Sequence, residues 1–173
     1  AEARLLTTAA DALDQVNAWV GRVVRWLALL LLLAQLAVVV LRYMFGTSYI
    51  WGTETVLYLH AALFMLAAGY TLLIDGHVRV DIFYGSLGPR GQARVNLLGT
   101  ILFLVPTCLV ILWFTWRFTA NSWAIREGPL SVGGIPAAFV LKTLIPAFAG
   151  LLLVQGASLA LRSIIRLREA RSR

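Results

Sequence analysis

Residues 55–74 read TVLYLHAALFMLAAGYTLLI and contain no Asp, Glu, Lys or Arg in 20 positions. A helix that crosses about 30 Å of hydrocarbon needs about 20 residues at 1.5 Å each. In lipid every backbone N–H and C=O group needs a partner within the protein, and a helix provides these partners within one segment. The run is therefore predicted to be a transmembrane helix.

Three further uncharged runs lie on either side of it, at residues 26–41, 95–116 and 143–161. The first is the shortest, and it is long enough once the arginines at its ends extend their side chains to the interface. We therefore predict an all-α integral membrane protein with four transmembrane helices in a single membrane domain, residues 1–173. The spans are predicted near residues 22–45, 53–74, 92–117 and 136–162.

The composition excludes several classes of protein. Of the 173 residues, 60% are hydrophobic and 13% are charged, and the mean hydropathy is +0.83. Soluble domains are about 45–50% apolar and about 25% charged, so a soluble enzyme, a secreted disulfide scaffold and a disordered tail are excluded. The net charge of +7 comes from arginines that flank apolar spans, which predicts membrane lipids and no nucleic acid as partners.

The arginines alternate between the two sides of the predicted spans. The N-terminal segment, the loop between spans two and three, and the C-terminus carry 3, 3 and 5 arginines, so 11 lie on one side, against 3 on the other. By the positive-inside rule, both termini are predicted to be cytoplasmic.

Residues 1–21 do not resemble a cleavable signal, because Glu2, Asp11 and Asp14 precede the apolar run. Apolar residues recur there at helical spacing, which is typical of a helix on the membrane surface. We predict an N-terminal amphipathic surface helix, with a poorly ordered tail as the alternative. The apolar positions are Leu5, Ala9, Leu13, Val16, Val20 and Val23.

Two charged residues are predicted at the same depth of the apolar layer, Glu54 at the start of span two and Lys142 inside span four. Charges in this position are costly unless they are paired or face a protein interior. A structural ion pair between Glu54 and Lys142, with Arg42 nearby, is predicted. An ion or proton site, or extension of each side chain to the interface without a partner, are the alternatives.

The sequence offers no set of residues for a cofactor, a metal ion or catalysis. His60 and His77 are separated by 17 residues, about 25 Å along a helix, so both cannot bind one haem. Cys108 has no activating base nearby in the sequence. We predict that the chain is not an enzyme and has no cofactor. The scarcity of polar residues within the spans further predicts an accessory or scaffold subunit rather than a solute carrier.

Several short motifs resemble the small permease (Q) subunit of tripartite ATP-independent periplasmic (TRAP) transporters. Span one ends in Arg-Tyr-Met-Phe-Gly (42–46), and span two starts at Trp-Gly-Thr-Glu (51–54). Gly-His-Val-Arg-Val-Asp (76–81) follows span two, and Gly-Gly-Ile-Pro (133–136) precedes span four. The resemblance covers about residues 20–165.

The resemblance implies a three-part secondary transporter in a bacterial or archaeal cytoplasmic membrane. A large permease (M) subunit would carry the solute, an organic acid, and the coupling ion, sodium. A periplasmic solute-binding (P) protein would deliver the solute, and the small subunit would brace the large one. The resemblance assigns packing and interface roles to Glu54 and to the cytoplasmic motif residues His77, Arg79 and Asp81.

Small residues on span two allow another helix to approach closely, and we predict that this face contacts the large subunit. The face comprises Ala61, Ala62, Ala68 and Gly69. Two other functions remain as alternatives: a stand-alone proton-coupled exporter that uses Glu54, and a membrane anchor of a redox complex that uses His60 or His77.

Overall fold

The computed structural model describes residues 2–77 and 84–169, and every regular element in them is helical. The elements are α1 (Glu2–Phe45), α2 (Ile50–Leu73), α3 (Pro89–Gly99), a π-helical segment (Thr100–Leu104), α4 (Val105–Ala124) and α5 (Ala138–Glu169). The third span consists of α3, the π-helical segment and α4. Four helical stretches are long and apolar enough to cross a membrane, which confirms the predicted fold class.

The first helix, α1, is a single helix of 44 residues. The helix predicted for residues 1–21 is present from Glu2 onwards and continues without interruption into the first span. Its apolar residues Leu5, Val16 and Val23 face outward, whereas Asp14 and Asn17 face the rest of the protein. This half of α1 therefore directs some polar side chains inward, while its outer side carries both apolar residues and charged ones such as Arg4 and Asp11.

The third span leaves α-helical geometry at Thr100–Leu104, where the chain makes one turn of π-helix. Pro106 lies two residues after this segment and has no backbone N–H to donate to the preceding turn. Beside this turn, a β-carbon added at Gly156 would lie 2.6 Å from the Leu104 side chain. The absence of a side chain at Gly156 therefore allows Leu104 to pack directly against α5.

The fourth span, α5, is the central helix. It packs against α1, α2, α3 and α4, whereas α4 packs extensively against α5 alone among the described residues. The beginning of α1 lies beside the end of α5, because the Ser158 hydroxyl donates a hydrogen bond to the Ala10 carbonyl at 3.3 Å. Both ends of the described chain are therefore at the same end of the bundle.

Small and polar side chains dominate the interior. The buried hydrophobic residues are mostly alanines, and most of the large apolar side chains point outward. This distribution is expected of helices that pack closely in lipid, where large apolar residues gain little by moving inward. The buried polar residues are Asn17, Glu54, Thr100, Thr119, Ser122, Gln155, Ser158 and Ser163.

Candidate functional site

A hydrogen-bonded cluster joins α1 to α5 at the end of the bundle that holds both termini. Asp14 on α1 accepts hydrogen bonds from the Ser158 hydroxyl at 2.5 Å and from the Gln155 amide at 2.8 Å. Arg162 donates from Nε to Oδ2 of Asp14 at 3.0 Å and also contacts it through a terminal nitrogen. We call Asp14, Gln155, Ser158 and Arg162 the terminal cluster.

The two carboxylates bound by Arg162 lie in different environments. The side chain of Asp14 is 15% exposed, whereas that of Asp11, which Arg162 contacts at 2.8 Å, is 60% exposed. Exposed ion pairs contribute about 0–1 kcal/mol because water screens them. Asp14 is therefore the carboxylate that holds the two helices together.

Asn17 continues the cluster one turn further into the bundle and is fully buried. Its amide nitrogen donates to Oε1 of Gln155 at 3.1 Å and to the Leu151 carbonyl at 3.3 Å. Its amide oxygen lies against Gly69 of α2, where an added β-carbon would overlap with it. Asn17 therefore occupies a junction of α1, α2 and α5.

This junction corrects one part of the predicted contact face for the large subunit. Gly69 is buried inside the chain against Asn17 and Leu151, so it is not on an outer surface. Gly21 has a similar role on α1, since a β-carbon there would lie 2.5 Å from the Tyr70 ring. The small residue at position 69 serves the packing of this chain's own helices.

The carboxylate of Glu54 anchors a loop at the opposite end of the bundle. Glu54 is 5% exposed, and its Oε2 accepts a hydrogen bond from the backbone N–H of Ile135 at 2.7 Å. A β-carbon at Gly134 would overlap with the same carboxylate, so only glycine lets the backbone lie this close. The preceding Gly133 has a φ of +83°, which also favours glycine. The Gly-Gly-Ile-Pro motif therefore closes over the start of α2.

Lys142 does not pair with Glu54, and the predicted ion pair is wrong. Its ammonium contacts Oε2 of Glu127 at 2.5 Å and lies 4.1 Å from the centroid of the Phe118 ring. The Ser122 hydroxyl donates to the same Glu127 oxygen at 2.6 Å. The loop between the third and fourth spans turns back at Glu127 and so brings this carboxylate next to Lys142. The sequence prediction compared only the depths of charged residues within the spans and therefore missed Glu127.

Glu127 gives this end of the bundle a dependence on pH. The hydrogen bonds from Lys142 and then Ser122 hold the pKa of its carboxyl below the ordinary value of 4.5. A depressed carboxyl pKa contributes stability above pH 4.5, and this contribution is lost as the pH falls through the pKa of the folded state. The measurement is the thermal unfolding midpoint of the detergent-solubilised chain as the pH is lowered below 4.5. We expect this midpoint to fall by less for Glu127→Gln than for the wild type. Equal pH dependence in the two proteins would contradict the assignment.

The remaining predicted residues are separated from these contacts. Arg42 donates to the Ser48 hydroxyl at 3.3 Å in the exposed turn between α1 and α2. His60 and His77 are exposed. Arg79 and Asp81 lie outside the described residues. Arg42, Glu54 and Lys142 thus have three different partners rather than forming one site.

The sequence analysis did not predict the terminal cluster, although the spacing of its polar residues indicates that they share a helix face. Gln155, Ser158 and Arg162 recur at intervals of three and four residues, so they share one face of α5. Asp14 and Asn17 share a face of α1 in the same way. Two polar stripes on helices that otherwise lie in lipid indicate mutual pairing, because unpaired polar groups are costly there.

The fold and the polar contacts define a multi-pass membrane protein whose helices are tied together at both ends. Comparison with known families makes the identification specific. The family model described as tripartite ATP-independent periplasmic transporters, DctQ component, matches residues 31–167. The chain belongs to this family, and it is a small permease component of a TRAP transporter. No curated protein and no solved structure matches the chain.

Proposed function

We propose that this chain is the static brace of a TRAP transporter in the cytoplasmic (inner) membrane. It holds the large permease subunit while that subunit moves the solute, which we propose is an organic acid, together with sodium. A periplasmic binding protein delivers the solute to the complex. This proposal goes beyond the family assignment because it gives each of the three components a separate role.

The observation that supports the proposal is that the buried polar side chains bind other parts of this same chain. Asn17 and Gln155 bind one another across two helices, and Ser158 binds Asp14. Glu54 binds the loop before the fourth span. These groups fix helices relative to one another, which is what a subunit that resists movement requires.

The contact surface for the large subunit remains a proposal at Ala61, Ala62 and Ala68 of α2, each of which is half-buried. The third span offers a second apolar surface. Since α4 is supported within its own chain mainly by α5, its outer side is free for lipid or for another subunit. Its most exposed aromatic residues are Trp113, Phe114 and Trp116.

The first test is purification of the tagged chain from its native membrane in mild detergent, followed by mass spectrometry. We expect one much larger multi-span protein in about equal amount. Proteoliposomes that contain both subunits and the binding protein should take up an organic acid under a sodium gradient, whereas the chain alone should not.

Glu54→Gln separates this function from that of a proton-coupled exporter. A glutamine oxygen still accepts the hydrogen bond from Ile135, so we expect assembly and uptake to persist in the variant. Recovery of the chain only as a homo-oligomer, with transport by the chain alone that Glu54→Gln abolishes, would refute the brace.

A further inference from the structure

The exposed side chains of α2 form one stripe along its outer surface. Between residues 53 and 73, only four residues of this helix are exposed. They are Thr53, Leu57, His60 and Phe64, and we call them the outer seam. Their spacing of 4, 3 and 4 residues is that of the a and d positions of a heptad. A second helix that crosses at a small angle packs along such a seam.

The rest of the chain occupies the inner side of α2. This helix packs against α1 and α5, and its buried residues Gly52, Glu54 and Gly69 lie on that side. On the outer seam, Leu57 is 47% exposed and Phe64 is 69% exposed. The described part of the chain therefore leaves the outer seam uncovered.

His60 places a polar ring in the middle of the outer seam and far from both ends of α2. It lies 10 residues after Ile50 and 13 residues before Leu73, which is about 15 Å and about 20 Å along the helix. Long Lys and Arg side chains extend toward the interface, whereas an imidazole on a single methylene group spans only a fraction of either distance. The ring of His60 therefore stays within the apolar layer of the membrane.

The imidazole has no polar partner within the described part of the chain. None of the described residues forms a hydrogen bond or an ion pair with His60. A histidine ring carries at least one N–H donor in both its neutral and its cationic form, and an acyl chain offers no acceptor. An unpaired donor in hydrocarbon is costly, and ionisable residues within membranes almost always face protein or water. The chemistry of His60 thus favours a protein surface with an acceptor over a lipid tail as the occupant of the outer seam.

Building on the proposed brace function, we propose that the outer seam binds a transmembrane helix of the large permease subunit. An acceptor oxygen on that helix takes the hydrogen bond from His60. Leu57 and Phe64 lie one turn on either side of His60, so they pack against the same helix and shield the hydrogen bond. Ala61 and Ala68, seven residues apart, form a parallel row of small residues beside the seam. Small residues in this position allow the partner's backbone to approach closely.

Photocrosslinking in the native membrane tests where the contact lies. The photoreactive residue p-benzoylphenylalanine is placed at position 64 of the tagged full chain, and mass spectrometry identifies the crosslinked product. Position 103 in the third span is the matched control, because Phe103 is 73% exposed and Phe64 is 69% exposed. We expect a crosslinked product with the large subunit from position 64 and little or none from position 103.

Substitutions of His60 test the hydrogen bond. His60→Leu removes the donor, whereas His60→Gln retains an N–H donor. Gln35→Leu is the matched control, since Gln35 is also exposed within an apolar run but belongs to α1. The apparent Kd of the complex with the large subunit is measured in mild detergent. We expect His60→Leu to raise this Kd about threefold and the other two variants to leave it unchanged. The thermal unfolding midpoint of the isolated chain should be the same for all three variants as for the wild type, because His60 and Gln35 are exposed.

Three results would overturn the proposal. They are crosslinking of position 64 only to lipid or to a second copy of this chain, crosslinking to the large subunit from position 103 alone, and equal weakening by His60→Leu and Gln35→Leu. Failure of the brace function has a different signature. If the wild-type chain recovers no large subunit, the brace itself is refuted. If it recovers the large subunit but position 64 gives no crosslink to it, only the outer seam is refuted as the binding surface.

Discussion

Gly69→Ala is expected to lower the stability of the bundle, although alanine is the better helix former. The added β-carbon would overlap with the amide oxygen of Asn17 and displace that side chain from Gln155 and Leu151. Overpacking costs about 1–3 kcal/mol, and each lost hydrogen bond about 1 kcal/mol. The gain in helix propensity offsets about 1 kcal/mol of this loss. The net expectation is a destabilisation of about 2–4 kcal/mol.

Gly150→Ala provides the matched control, because it makes the same chemical change where nothing lies within 4 Å. There the helix propensity acts alone, and we expect unchanged or slightly higher stability. The measurement is the thermal unfolding midpoint of each detergent-solubilised variant. Midpoints that shift equally in the two variants would show that the contact between Gly69 and Asn17 does not determine the packing of the three helices.

Asp14→Ala is the second change with a large expected effect. It removes the acceptor for Ser158, Gln155 and Arg162 together and leaves these donors without their shared partner. Hydrogen bonds to a charged group contribute about 1.5–3 kcal/mol each, and the partial exposure of Arg162 reduces its share. We expect a loss of about 3 kcal/mol in the free energy of unfolding.

Asp11→Ala tests whether this effect depends on burial. Asp11 binds the same arginine at 2.8 Å but is mostly exposed, so its removal is expected to cost less than about 1 kcal/mol. Unfolding is followed by thermal denaturation in detergent. The double variant Asp14→Ala/Arg162→Ala should lose less stability than the sum of the two single changes. Equal losses in the two aspartate variants would contradict the terminal cluster.

The polar contacts at the two ends of the bundle fix its helices relative to one another, as the proposed brace function requires. The terminal cluster joins α1 to α5, and the Asn17 junction adds α2. At the other end, Glu54 and Lys142 each hold part of the loop before the fourth span. Since α5 takes part at both ends, it connects the two sets of contacts.

The spans, the fold class and the family could be derived from the sequence alone. Uncharged runs such as residues 55–74 predict a transmembrane helix because about 20 apolar residues cross the hydrocarbon layer and a helix satisfies all their backbone polar groups within the segment. The family motifs are also local, and they led to the assignment that the family model confirms. These features do not require knowledge of which helices are neighbours.

The polar pairings were decided only by the tertiary structure. Glu54 and Lys142 are predicted at one depth, yet Lys142 binds Glu127 because the loop at residues 125–137 folds back over the fourth span. Gly69 belongs to a small-residue stripe that fits a partner helix equally well, and only the position of Asn17 shows that it is used within the chain. The composition of each apolar run determines how deep a residue lies in the membrane. Which residue it contacts at that depth depends on how the helices are rotated and on the path of the loops between them. Those are properties of the whole packed bundle.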